Sequence, residues 1–450
     1  MVKHSLALSL AVSGLVGSPG VQAQQVQQVH QAQQVQQAQQ AQQTQQQPVP
    51  AMLSSEIFKV YTAAAGELSV LNPEEPDINK RIAAYNKFSF SPELRPRLKA
   101  IFGTDKPLAP RRLPDSRGLQ HYQSMLKAGS YQDQQVQLGW SDVVFNVDTT
   151  RAGNQARYTG TIAALNMAGP VNADVAGVRF AGRQARASDG LWYGAMNVDV
   201  DRIAFKDSTA PMLLEDLRIK TDLQRRGKFV DLAYGVSVRA AGVGENRVER
   251  ANFAVRVLGL DAQVIRDFTR LAGAPQLQQL APDARSEVML RKLKDMGVAV
   301  LKRGIEVVID DISAAWHGQV ASLRGRIGFA GASEAELRSL PAILKKLLVR
   351  LEVRVPTPIV DALSAFAASK AVAPETPDRA QKLVAVQRQV YEKVMGDIRQ
   401  SGMAVVGKDE ITTVIEFKDS TLTMNGKRVS MFGLQDGKLP MPPAAPAKAE

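Results

Sequence analysis

The chain contains no cysteine and four histidines in 450 residues. The first absence excludes disulfides, thiol nucleophiles and cysteine-ligated zinc or iron-sulfur centres. Two of the histidines, His4 and His30, fall in the leader and in a glutamine tract, which leaves His121 and His317 for the rest of the chain. So few rings exclude most histidine-rich metal sites, and any Ser-His-Asp constellation must use one of those two. G-x-S-x-G, H-E-x-x-H and phosphate-loop patterns are also missing. "AAGVGENRVER" opens like a dinucleotide fingerprint, but Arg247 stands where its third glycine belongs, and the stretch reads as a hairpin turn. No metal, no cofactor and no catalytic residue is therefore expected, and the chain reads as non-enzymatic.

Long apolar runs are equally scarce. The one at the start, Leu6 to Val16, is about half of the roughly 20 residues needed to cross a bilayer. Lys3 and His4 precede it, and "GSPG" and Val21-Gln22-Ala23 follow, the three parts of a secretory signal. Residues 1–23 are expected to be a cleaved signal peptide, with the mature protein in the periplasm, or weakly held at the inner membrane if the signal is retained. No later segment has the length and hydrophobicity of a transmembrane span.

Residues 24–50 are glutamine-rich, with small or apolar residues every third position from Val26 to Thr44. On a helix of 3.6 residues per turn such a stripe drifts around the cylinder and holds no face. Without charge or a core-forming apolar set, the tract is expected to be a disordered spacer. A proline- and alanine-rich tail, 438–450, is expected to be disordered for the same reason.

The formal net charge is +12. Between Lys80 and Arg117 ten basic residues face only Glu93, Asp105 and Asp115, within a segment, 51–119, expected to be mainly helical. In an exported protein the matching partners are anionic lipid headgroups or glycans, not nucleic acid. Arg95, Arg97, Lys99, Arg111 and Arg112 are the candidate anion-binding residues; a solvated connector is the other reading of the same charges.

Residues 120–437 read as one α+β body, in which the pattern becomes period-two alternation after about residue 131. Val230, Leu232, Tyr234, Val236 and Val238 share one face of a strand, as do Leu217, Ile219 and Leu223, then Trp192, Met196, Val198 and Val200, and again Ala321, Leu323, Ile327 and Phe329. Strands with one apolar and one polar face indicate antiparallel sheet, and short turns such as "RRGK" and "SDG" indicate meanders.

Helices are expected between them. One begins at Asp261 as cap, buries Val264, Ile265, Phe268 and Leu271, and stops at Gly273. A second covers 340–351, with Leu340, Ile343, Leu344, Leu347, Leu348 and Leu351 on one side. Thr357-Pro358 and Thr376-Pro377 each read as a cap with proline at the first helical position. The latter opens a helix packed through Leu383, Val386, Val390, Val394 and Ile398 and ending before Gly402. Asn425-Gly426 predicts a two-residue hairpin that sets Leu422 opposite Val429 and Thr423 opposite Arg428. The fold class is α+β: an extended, curved antiparallel sheet of meanders with amphipathic helices packed on its apolar face, possibly in two lobes.

Two weaker constellations remain. Asp199 and Asp201 share the polar face of a strand and have the spacing to hold a hard cation together, although a solvated face is the simpler reading. His317, in "AAWHGQ", is a turn histidine or a base partnered by Asp310 or Asp311.

Three stretches, "GLWYGAMNVDVDRIAF", "LGLDAQVIRDFTRLAG" and "DSTLTMNGKRV", with "KRGIEVVIDDISAAWHGQVASLRGRIGF" between them, resemble the YdgA-like group of bacterial envelope proteins, whose biochemical role is not established. The resemblance spans roughly residues 120 to 432 and brings structural motifs without catalytic residues. It implies a non-catalytic envelope protein, foremost a structural or interaction module with an envelope protein as partner. The alternatives are a periplasmic carrier of a lipid or other apolar ligand on the sheet, and a hydrolase using His317.

Overall fold

The computed structural model describes residues 55–71, 75–169, 171–206, 211–243, 246–273 and 282–429. The expected signal peptide, glutamine spacer and C-terminal tail lie outside these residues, as do the side chains of Phe268 and Leu271. All described residues fall in one compact unit, Pro50–Val429.

Three helices come first: α1 (Glu56–Leu68), α2 (Ile78–Lys87) and α3 (Leu94–Phe102). Asp77 caps α2, accepting from the N–H groups of Asn79 and Lys80, and Gly103 closes α3 at φ 73. Val60, Leu94, Leu98 and Ile101 bury themselves against Phe90 to form a small core.

Among the described residues a single antiparallel sheet of 18 strands follows. Its first half comprises β1 (Arg111–Ser116), β2 (Leu119–Leu126), β3 (Gly129–Gln132), β4 (Gln137–Trp140), β5 (Val143–Thr150), β6 (Gln155–Ala168), β7 (Ala173–Arg186), β8 (Trp192–Phe205) and β9 (Met212–Arg226). The second half comprises β10 (Phe229–Val243), β11 (Asn246–Asp261), β12 (Gly304–Trp316), β13 (Gln319–Ala330), β14 (Leu347–Pro356), β15 (Val405–Val406), β16 (Glu410–Lys418), β17 (Thr421–Met424) and β18 (Lys427–Arg428). From β5 to β14 each strand pairs with its successor, so the alternating pattern does fold as a meander. The sheet is not closed: β1 pairs with β2 at one margin and β18 with β17 at the other.

The remaining helices lie at strand ends: α4 (Ala262–Gly273) and α5 (Pro282–Arg303) between β11 and β12, α6 (Leu340–Lys346) before β14, and α7 (Thr357–Ala371) with α8 (Arg379–Ser401) between β14 and β15. Asp261 caps α4 as expected, its Oδ1 accepting from Gln263 N–H at 2.7 Å. The Asn425-Gly426 turn also forms as expected, at φ 50 and 77; Thr423 pairs with Arg428, and Val429 N–H reaches Leu422 O. "AAGVGENRVER" joins β10 to β11, whose pairing runs up to Val243 and Asn246, with 244 and 245 outside the described residues.

Three expectations change. The helix over 340–351 stops at Lys346, and Leu347–Pro356 is strand β14. Val349, Leu351, Val353 and Val355 also alternate with period two, and hydrogen bonding to β13 on one side and β16 on the other decides in favour of strand. Thr376-Pro377 does not cap α8, which begins at Arg379 behind Asp378 at φ 53. Its expected packed face holds at Leu383, Val386, Val390 and Ile398, which are half-buried, but Val394 is exposed and Met395 is buried beside it.

Candidate apolar binding face

Register turns the alternation into two continuous surfaces. One cross-strand row runs Phe145, Gly160, Phe180, Val198, Ile219, Val236, Phe253, Ile312, Leu323, Val353 and Thr413, from β5 through β14 to β16. At the usual strand separation this is roughly 50 Å of hydrocarbon. The neighbouring row on the opposite face runs Arg179, Asp199, Arg218, Ser237, Asn252, Ser313, Ser322 and Arg354.

Helices cover two patches of the sheet. α4 sets Ala262 and Ile265 against Leu191, Val230, Tyr193, Leu223 and Leu260, at the strand ends of β8 to β11. At the β14 to β16 side, α7 and α8 enclose Val360, Met395 and Ile411 with Val355 and Tyr391. The row residues Phe145, Phe180, Val198, Ile219, Val236, Phe253, Ile312, Leu323 and Val353 belong to neither cluster and are all only partly buried. A side chain pressed between two layers is typically lost to water, so among the described residues this band is a single layer with one apolar face left partly open.

Glycines shape its floor. A Cβ on Gly160 would lie 1.9 Å from the Phe180 ring, and one on Gly182 would lie 2.2 Å from the Tyr158 ring. Both rings therefore lie flat over a neighbouring strand, which only glycine permits. Phe145 meets Phe180 at 5.3 Å between ring centres, and Tyr234 meets Phe253 edge to face at 6.2 Å.

The band ends at a row of unusual backbone. Gly177, Asp216 and Arg250 have φ of 65, 49 and 52. They sit on alternate strands, aligned through Asp201 of β8 and Arg239 of β10 by the pairs that flank them. Across this row the apolar parity of β8 changes from Met196, Val198 and Val200 to Ile203 and Phe205.

The polar face is laced with ion pairs. Arg179 holds Asp201, Arg218 reaches Asp199, Arg256 grips Asp310 through two bonds, and Arg350 bridges Glu352 and Glu416. Hydrogen bonds from the guanidinium groups hold Asp201 and Asp310 below the usual carboxylate range. Burial pushes Asp311 up, but hydrogen bonds from Asn252 and Ser313 outweigh it and leave that carboxyl low as well.

These pairings engage the carboxylates of two candidate constellations. Asp199 and Asp201 each answer a different arginine, and no metal-binding group occurs among the described residues. His317 sits exposed in its turn at φ 49, stacked on Trp316, while Asp310 and Asp311 are engaged by Arg256, Asn252 and Ser313. The five basic candidates occupy two elements. Arg97 pairs with Glu56 at 2.6 Å and Arg112 with Asp115 at 3.0 Å, whereas Arg95 and Lys99 on α3 and Arg111 on β1 are exposed.

Among the described residues, His121 is the histidine with a constellation. Its Nδ1 lies 2.7 Å from Asp148 Oδ1, and its Nε2 lies 2.7 Å from Ser116 Oγ. The hydrogen bond to Asp148 raises its pKa above the ordinary value, with the Ser116 carbonyl contributing in the same direction against some desolvation. Ser116 and His121 are brought together across the Arg117-Gly118 turn, and Asp148 arrives by the pairing of β2 with β5. Only the first of these contacts leaves a local trace in the sequence.

The chain belongs to a family of bacterial proteins of unknown function (DUF945), whose model matches residues 85–432 and so takes in the whole sheet. No curated protein matches it, and neither does any solved structure. Among the described residues no helix is long and apolar enough to cross a membrane.

Proposed function

We propose that the protein is an exported envelope protein of the YdgA-like kind whose uncovered sheet face binds an elongated apolar ligand, the acyl chains of a lipid. One observation carries this reading: the row from Phe145 to Val353 is partly exposed along its length, and none of its residues belongs to the clusters that α4, α7 and α8 bury. An apolar surface of that extent in water marks a binding site. Its chemistry favours hydrocarbon over an extended peptide, because the row offers only the Thr413 hydroxyl as a side-chain hydrogen-bonding group, and backbone N–H and C=O groups laid on it would go unpaired. Each methylene transferred from water contributes roughly 0.8 kcal/mol, so one acyl chain supplies on the order of 10 kcal/mol gross.

The test is native mass spectrometry and solvent extraction of the full chain purified from its own envelope. Co-purifying lipid is expected, reduced at least tenfold in a Val198→Asp/Val236→Asp variant. A clean protein mass, with no binding of an added long-chain fatty acid, overturns the reading. Recovery of a specific protein neighbour by crosslinking, without lipid, would instead favour a structural or interaction module.

A further inference from the structure

The Ser116, His121 and Asp148 cluster lies apart from the apolar face and is not needed by the binding role. His121 is in register with Asp148, and Asp148 with Arg157. The side chains of this row alternate with Tyr122, Val147 and Tyr158, so they project from the polar side of the sheet. We propose that these three residues form an acyl-hydrolase site with Ser116 as nucleophile, acting on oxygen esters that carry an anionic group near the scissile bond.

The geometry assigns the roles. In the neutral ring, an Nδ1–H donating to Asp148 Oδ1 leaves Nε2 to accept from the Ser116 hydroxyl, both at 2.7 Å, and once protonated Nε2–H has the Ser116 carbonyl at 3.3 Å to donate to. Ser116 is exposed on the margin strand β1, open to an incoming ester. The Arg117-Gly118 turn, at φ 51 and 77, follows it directly. Because Ser116 pairs with Leu119, the amides of Arg117 and Gly118 take no part in the ladder and are backbone donors adjacent to the nucleophile for an oxyanion. Arg157, paired in register with Asp148, and Arg183, paired in register with Arg157, are exposed. Neither makes an ion pair among the described residues. They lie roughly 5 and 10 Å beyond Asp148, which supplies the preference for an anionic substrate.

In the first half-reaction Ser116 Oγ bonds to the carbonyl carbon while its proton passes to Nε2. The carbon–oxygen bond to the alcohol then breaks, and Nε2 returns that proton to the leaving alkoxide. In the second, water gives a proton to Nε2 and its oxygen bonds to the acyl carbon. Ser116 leaves and recovers the proton, so the net change is ester plus water to acid plus alcohol.

The full chain is incubated with a fluorophosphonate probe, and the adduct is located by peptide mass spectrometry. One phosphonyl group on Ser116 is expected. It should vanish in Ser116→Ala, fall at least tenfold in rate in His121→Ala, and persist in His317→Ala. Ser116 is exposed, so its replacement should leave the circular dichroism spectrum unchanged. Absence of any adduct on the wild type over pH 6 to 9, or labelling that survives in Ser116→Ala, overturns the proposal, whatever the outcome of the lipid experiments.

Discussion

The helix-covered patches of the sheet and its open band are built from the same alternating sequence, yet they are finished differently. Under the helices the packing is complete: Val230 beside α4 and Thr149 beside Asn79 of α2 are 0% exposed, and Met395 of α8 is 2% exposed. Along the open band, from Phe145 to Val353, residues of the same type stay partly open to water. The contrast separates stability from binding, since a core residue stabilises by losing its solvent, whereas a binding face must keep some until its ligand arrives.

The sharpest way to break that comparison is to cut into a covered patch. Met395→Ala opens a void between α8 and the start of β16 and should cost about 2–5 kcal/mol in denaturant unfolding. If the loss were no larger than that of a middle-band substitution, the division would be wrong. Gly160→Ala pushes a methyl group into the Phe180 ring and should cost about 1–3 kcal/mol, reported by the melting temperature and by loss of the Phe145–Phe180 contact. Asp261→Ala removes the α4 cap together with the partner of Arg303, at a cost of about 1–2 kcal/mol, and should speed amide exchange in α4. Val198→Asp, in the open band, should change unfolding by less than about 1 kcal/mol at neutral pH, the scale of a surface substitution. Its effect should appear in ligand retention instead.

The smallest effect concerns His121. Its folded pKa lies above the ordinary 6.5, so protonation stabilises the folded state. That contribution is complete below the unfolded value and is lost as pH rises through the folded one. A titration of the ring resonances by nuclear magnetic resonance should show the raised midpoint, and Asp148→Asn should move it back toward 6.5.

Much of the sheet was legible because period-two alternation survives whatever the tertiary context does. The meander strands, the Asp261 cap and the Asn425-Gly426 hairpin all depend on neighbours within a few residues. Residues 340–351 were not, because Leu347 and Leu351 satisfy a helical stripe and an alternating strand together, and the deciding bonds come from β13 and β16. The same limit hid the cluster around His121. Its partner Asp148 lies across the pairing of β2 with β5, and no spacing in the chain announces it. The candidate arginines show the reverse: Arg97 and Arg112 stood out by local density, which says nothing about Glu56 or Asp115 spending their charge.

The rings laid flat on Gly160 and Gly182 have a last implication. Pavement of this kind lacks upright studs, so a guest resting there meets no notch that fixes its length or branching. Retention should then scale with how much tail is laid down, while any choosiness about the head must be exercised elsewhere on the molecule.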